Sequence, residues 1–163
     1  MKPKVYIETS IVSYLTANPS RDVLVSANQL LAVEWWHGPR LKFDTYVSDI
    51  VIDEAGRGDS SMARKMLEAI ANIPVLEINE KVILLAERIL GDNILPAKAS
   101  PDVSHIAISS VHEVDFLLTL NCRHIANAFI YRRIRKVCEK FGYRSPIICT
   151  LQEILEKENE LYD

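Results

Sequence analysis

The sequence predicts an α/β protein with a central, mainly parallel sheet of four to five strands, and three observations predict it. Short runs such as Val5-Tyr6-Ile7 and Phe116-Leu117-Leu118 are apolar without alternation, the mark of strands covered on both faces. They alternate along the chain with longer stretches of helical periodicity, the order expected of repeated strand-helix units. Two polar residues, Glu8 and Asn121, fall just past two of these runs. That places them at the carboxyl edge of the sheet, where open parallel sheets bind ligands.

The elements follow in order. A strand over about residues 3–8 leads into a short helix over about 10–16, with Thr9 and Ser10 at the turn. A longer helix runs from about Arg21 to Trp36 and ends at His37-Gly38-Pro39. A second strand covers about 42–47. Ser48 is expected to cap the next helix through its side chain, and that helix carries Glu54 and ends near Gly56 and Gly58. Ser60 to Ile70 is helical, and Pro74-Val75-Leu76 reads as a short strand. Asn79 caps Glu80–Leu90, where Val82, Leu85, Ala86 and Ile89 form one apolar stripe. Ser100-Pro101-Asp102 reads as an N-cap, a proline at the first helical position and a first-turn acid, opening a helix to about His112. A strand at 116–119, a basic helix at about 124–141, a strand at 146–149 and a last helix from Thr150 complete the chain.

At 163 residues and 48% hydrophobic content the chain can bury one substantial core, and no stretch reads as a linker, so a single domain over 1–163 is expected. No apolar run is long enough to span a membrane, and the start leads directly into a strand, so a cytoplasmic protein is expected. Three cysteines, Cys122, Cys138 and Cys149, lack C-x-x-C pairing and support neither a disulfide framework nor a zinc knuckle. With five glycines, neither of the glycine-rich phosphate loops nor a G-x-S-x-G elbow can be written. His105 and His112 are seven apart, and His37 and His124 have no neighbouring ligand, which excludes the two-histidine zinc helix.

What remains is a set of oxygen donors. Glu8 at the end of a core strand needs pairing, hydration or a cation to be stable there. Glu54 and Asp102 also have ordinary explanations: an ion pair with Arg57 three residues on, and a favourable place in a helix first turn. Asp115 precedes its strand and belongs to the opposite edge. Together, carboxylates and an amide suit a hard divalent cation such as Mg²⁺ or Mn²⁺.

The net charge of −3 excludes a molecule coated in positive charge, but seven basic residues against one acid lie between Arg123 and Arg144. Ile125, Phe129, Ile130, Ile134, Val137, Cys138 and Phe141 recur at helical spacing, while Arg132, Lys136 and Lys140 repeat every four residues on a different stripe. The basic stripe is a solvated face, a track for phosphates or a surface for an acidic partner. Trp35 and Trp36 are expected in the core, with an exposed aromatic anchor as the alternative.

Tyr6-Ile7-Glu8-Thr9-Ser10, Val51-Ile52-Asp53-Glu54, Pro101-Asp102-Val103-Ser104-His105-Ile106-Ala107 and Leu117-Leu118-Thr119-Leu120-Asn121 resemble, in order, gaps and context, the successive acidic motifs of PIN domains. The resemblance covers nearly the whole chain. It implies a three-layer α/β/α fold and a metal-dependent endoribonuclease using Mg²⁺ or Mn²⁺, like the small VapC-type toxins. The partners it implies are an RNA substrate, an antitoxin protein and a second copy in a homodimer. By position Glu8, Glu54, Asp102 and Asn121 resemble the catalytic set, Glu8 and Asp102 the metal ligands, and Thr9 and Thr119 the hydroxyl residues lining the pocket. Arg132, Lys136 and Lys140 are the RNA-contact candidates. The chain departs from the family pattern twice: the first acid is Glu8 where aspartate is usual, and Asn121 stands where the last aspartate does. An amide can coordinate or orient but cannot act as a base. A PIN-like module that binds RNA or protein without cutting is therefore the alternative.

Overall fold

The structure, a computed structural model, describes residues 1–160. Its five strands are β1 (Lys4–Ile7), β2 (Asp44–Ser48), β3 (Val75–Leu76), β4 (Phe116–Leu118) and β5 (Ile147–Cys149). All pairings are parallel, in the order β3-β2-β1-β4-β5. In the centre Tyr6 lies level with Tyr46 on one side and Leu117 on the other. Val5, Tyr6, Ile7, Leu117 and Leu118 have no exposed surface. This is why their runs lack the alternation of a half-exposed sheet.

The helices are α1 (Thr9–Thr16), α2 (Val23–His37), α3 (Asp49–Gly56), α4 (Ser60–Ile70), α5 (Glu80–Gly91), α6 (Ser100–Val111), α7 (Ala128–Lys140) and α8 (Leu151–Glu160). From β1 the chain moves outward to β2 and β3, then returns across the sheet to β4 and β5. Because parallel crossovers are right-handed, the reversal sends α1–α4 to one face and α5–α7 to the other. The packing agrees: α1 lies against α2 and α4, and α5 against α6 and α7. The strand order therefore switches between β1 and β4, the place where open sheets form a ligand crevice.

Several local expectations change in the fold. Ser48 is the N-cap of α3 by position, but its hydroxyl bonds the phenol of Tyr6, 42 residues away, and makes no side-chain cap. Ser100 is already helical, with Ala99 as the cap position. Glu54 does not pair with Arg57; Asp53 takes that arginine at 3.5 Å on the exposed side of α3. Asn79 caps α5 as expected, accepting from the Val82 N–H at 3.1 Å. Trp35 and Trp36 are both buried, which settles their role as core residues. Asp115 sits at the amino edge, accepting from the Lys4 N–H at 2.9 Å.

The basic helix begins only at Ala128, with Asn127 as its cap, and Gly142 at φ 83° closes it in the left-handed conformation that glycine adopts freely. Ile134, Val137 and Cys138 are buried on it, but Phe129 is 92% exposed and Phe141 is exposed too. Ile125 precedes the helix, so its spacing to Phe129 carries no helical phase. No helix among the described residues is long and apolar enough to cross a membrane.

Candidate functional site

The carboxyl ends of β1 and β4 are adjacent, since Ile7 pairs with Leu118. The next residue on β1 is Glu8, and the next on β4 is Thr119; both are buried. Glu8 is the N-cap of α1, and its Oε2 accepts from the Ser10 N–H at 3.1 Å, from the Ser10 hydroxyl and from the Thr119 hydroxyl at 2.8 Å. The Ser10 hydroxyl in turn accepts from the Leu120 N–H at 2.8 Å. These donors replace the water that an ionised carboxylate loses on burial. Thr119 and Ser10 together hold the Glu8 carboxylate.

Glu54 approaches from α3. Its Oε1 accepts from the Thr9 hydroxyl at 3.0 Å and from His105 Nε2 at 2.6 Å. His105, on α6, has no exposed surface, and its Nε2 also lies 3.9 Å from Glu8 Oε1. On the far side of the ring, Nδ1 meets the Tyr6 hydroxyl at 2.6 Å, and Tyr6 meets Ser48 at 2.7 Å. One proton arrangement satisfies every group: Nε2–H donates to Glu54, Tyr6 donates to Nδ1, and Ser48 donates to Tyr6. Burial pushes the Glu54 carboxyl up, but His105, Thr9 and Arg57 outweigh it and hold the group below the usual carboxylate range. Burial pushes the Tyr6 phenol far above its ordinary value, and the Glu8 and Glu54 charges add to this against the Ser48 hydrogen bond. Tyr6 is thus a neutral donor and Glu54 an anion.

Asp102 stands in the first turn of α6, where the helix dipole favours an anion. Its Oδ1 accepts from the Asn121 amide at 3.0 Å, and its Oδ2 from His124 Nδ1 at 2.7 Å. Asn121 is held at both ends. Its Oδ1 accepts from the His124 N–H at 3.2 Å, and its own N–H donates to the Thr119 hydroxyl at 3.0 Å.

A continuous polar network thus joins the four residues: Glu54 and Glu8 both face His105, Glu8 bonds Thr119, Thr119 bonds Asn121, and Asn121 bonds Asp102. His105 and His124 belong to this network although neither has the spacing of a zinc ligand; each binds a carboxylate instead. Beside Glu54 a groove of about 300 Å³ opens, lined also by Asp53, Arg57, Ser100 and Ser104. Arg132, Lys136 and Lys140 lie elsewhere, on α7, along grooves described below.

The donor set bears on a hard cation in two ways. Among the described residues no three His, Cys, Asp or Glu side chains form a ready metal cage. Mg²⁺, however, is commonly held by one or two carboxylates, water and substrate phosphate rather than by an all-protein cage. Neither Glu8 Oε1 nor Glu54 Oε2 accepts a hydrogen bond among the described residues, so each carboxylate keeps an oxygen for a cation or its water. In chemistry, the residues fit.

No protein-family model and no curated protein sequence matches the chain. Among solved structures, the fold is similar to that of a chain in VapBC2 from Rickettsia felis, a crystal structure bound to a DNA fragment from their promoter. The likeness covers 90% of this chain and 98% of that one, with a TM-score of 0.54 at 12% identity. At that identity the common property is the fold. The match and the five-stranded parallel sheet with its β3-β2-β1-β4-β5 order together give this chain a PIN-like fold.

Proposed function

We propose that the protein is a metal-dependent endoribonuclease of the PIN type. The observation that carries this reading is the polar network joining Glu8, Glu54, Asp102 and Asn121 at the β1/β4 switch point. Glu8 and Asp102 would hold Mg²⁺ or Mn²⁺. When bound, the cation supplies polarisation of the scissile phosphate and a hydroxide at neutral pH. Glu54, kept ionised by His105, orders water at the mouth of the site. Thr9, Ser10 and Thr119 fix the two glutamates. Asn121 spends its amide on orienting Asp102 and cannot take a proton, so general-base work falls to the three acids. Arg132, Lys136 and Lys140 supply positive charge for the RNA backbone.

The similarity in fold to a VapBC2 chain supports reading this protein as the toxin of a toxin–antitoxin pair with an antitoxin partner; the homodimer rests on the family resemblance alone. A non-catalytic RNA- or protein-binding module is favoured by two observations, the neutral Asn121 and the lack of a ready metal cage among the described residues.

Calorimetric titration of Mn²⁺ into the wild type and Asp102→Asn separates these readings, together with turnover of single-stranded RNA. The variant keeps the shape of the side chain and loses its charge. Saturable binding and cleavage in the wild type, both lost in a variant with native circular dichroism, are expected. Equal activity in the two proteins overturns the assignment of Asp102. No Mn²⁺ binding at millimolar concentration, with or without RNA, favours the non-catalytic module.

A further inference from the structure

Phe129 sits in the first turn of α7 with 92% of its surface exposed, on a helix whose packed residues, Ile134, Val137 and Cys138, occupy another face. A single exposed apolar side chain is ordinary; its neighbours here are not. Phe129 shares a groove of about 520 Å³ with Arg132, Arg133 and Lys136. The line continues into a groove of about 430 Å³ where Arg133, Lys136 and Lys140 face Gly91–Ile94. Phe129, Arg133, Lys136 and Lys140 are three or four residues apart, so they form one stripe along the helix, roughly 16 Å long. Among the described residues Asp92 is the one acid lining either groove. The aromatic end of the stripe is also the end nearest the polar network in sequence. It begins five residues after His124, whose ring holds Asp102.

An apolar ring followed by a row of cations complements a strand that carries flat apolar faces on an anionic backbone. A duplex keeps its base faces inside the stack, so the ring can reach only an unpaired base. We propose that Phe129 is a stacking platform for an unpaired base of single-stranded RNA, with Arg132, Arg133, Lys136 and Lys140 tracking its phosphates. The choice of RNA rests on the ribonuclease reading. The strand form comes from the ring and its charged stripe.

The test is fluorescence anisotropy with a short labelled single-stranded RNA of mixed sequence, and its duplex, in EDTA so that no cleavage occurs. Phe129→Ala is expected to fold normally, since the ring touches little, and to weaken single-strand binding about 5- to 150-fold. Phe129→Trp should restore it, and the salt dependence should be the same in both variants because no charge is lost. Removing Arg133 and Lys136 should instead flatten the salt dependence. Unchanged single-strand affinity in Phe129→Ala overturns the platform, as does an equal loss on duplex or a wild type without RNA affinity. A changed sedimentation coefficient with unchanged RNA affinity also overturns it and marks a protein interface. Phe129-dependent binding with no Mn²⁺-dependent cleavage leaves the platform standing and sinks the nuclease; Phe129-independent cleavage does the reverse.

Discussion

Tyr6→Phe removes one oxygen and keeps the ring, so it isolates the buried relay behind Glu54 with little change in packing. That oxygen lies 2.7 Å from Ser48 Oγ and 2.6 Å from His105 Nδ1, and none of the three residues is exposed. Without it, the serine hydroxyl and the imidazole nitrogen each lose a partner in the interior. An orphaned buried group costs about 1–3 kcal/mol, so two give an expected loss of about 2–6 kcal/mol. Against a total stability of about 5–15 kcal/mol, that is a large fraction. Urea unfolding should show it as a lower midpoint at unchanged slope.

The double variant Tyr6→Phe/Ser48→Ala has no serine hydroxyl to orphan. It should be more stable than the sum of the single losses requires, with a coupling of about 1–2 kcal/mol. Because burial raises the phenol pKa in the folded state, the Tyr6 hydroxyl keeps its proton past the pH at which an ordinary tyrosine loses it. Wild-type stability falls as pH rises above the ordinary tyrosine value of about 10, and the phenylalanine variant lacks that part of the fall. A loss below about 0.5 kcal/mol, or additivity within about 0.3–0.5 kcal/mol in the double variant, would refute the relay.

Two further substitutions test other parts of the molecule. Burial pushes the Asp115 carboxyl up, but the Lys4 N–H and Arg144 outweigh it and hold the group below its ordinary range. Its contribution is present above the unfolded value near 4 and is lost as pH falls through the lower folded one, so Asp115→Asn should flatten the acid decline of Tm. Identical declines in variant and wild type would remove Asp115 from the acid response. Asn121→Asp places a carboxylate where an amide now donates to Asp102 at 3.0 Å. Its Tm should be lower than wild type in EDTA and should rise more on adding Mn²⁺; equal Mn²⁺ shifts in the two proteins count against a cation at this edge.

The sheet and its polar edge were legible because they depend on local pattern. Val5-Tyr6-Ile7 and Phe116-Leu117-Leu118 cannot be half-exposed strands, and the residue after a core strand has one place to go. What the sequence hid was set by partners distant in the chain. Ser48 has the chemistry of a cap, yet a phenol 42 residues away takes its hydroxyl. His105 and His124 bind carboxylates that lie 51 and 22 residues off in the chain. Phe129 misled for another reason: the helical period was counted from Ile125, before the helix starts. Its exposure follows once the phase is taken from Ala128.

Asn121 illustrates why a departure from the motif pattern that a chain resembles has to be judged by its contacts. An aspartate there would add charge, but as an anion it could not donate to Asp102, and the two carboxylates would repel. The amide does both jobs of a clasp, donating through Nδ2 to Asp102 and accepting the His124 N–H through Oδ1. Asp102 consequently has both oxygens directed by neighbours, while Glu8 is fixed by Ser10 and Thr119. Three carboxylates then remain to balance a divalent cation, and one of them, Glu54, is already partly neutralised by the His105 N–H. On the nuclease reading, a site with so little surplus negative charge should hold a divalent cation weakly in the free protein. The phosphate oxygens of a bound strand would be needed to complete the shell, so metal affinity should rise in the presence of RNA.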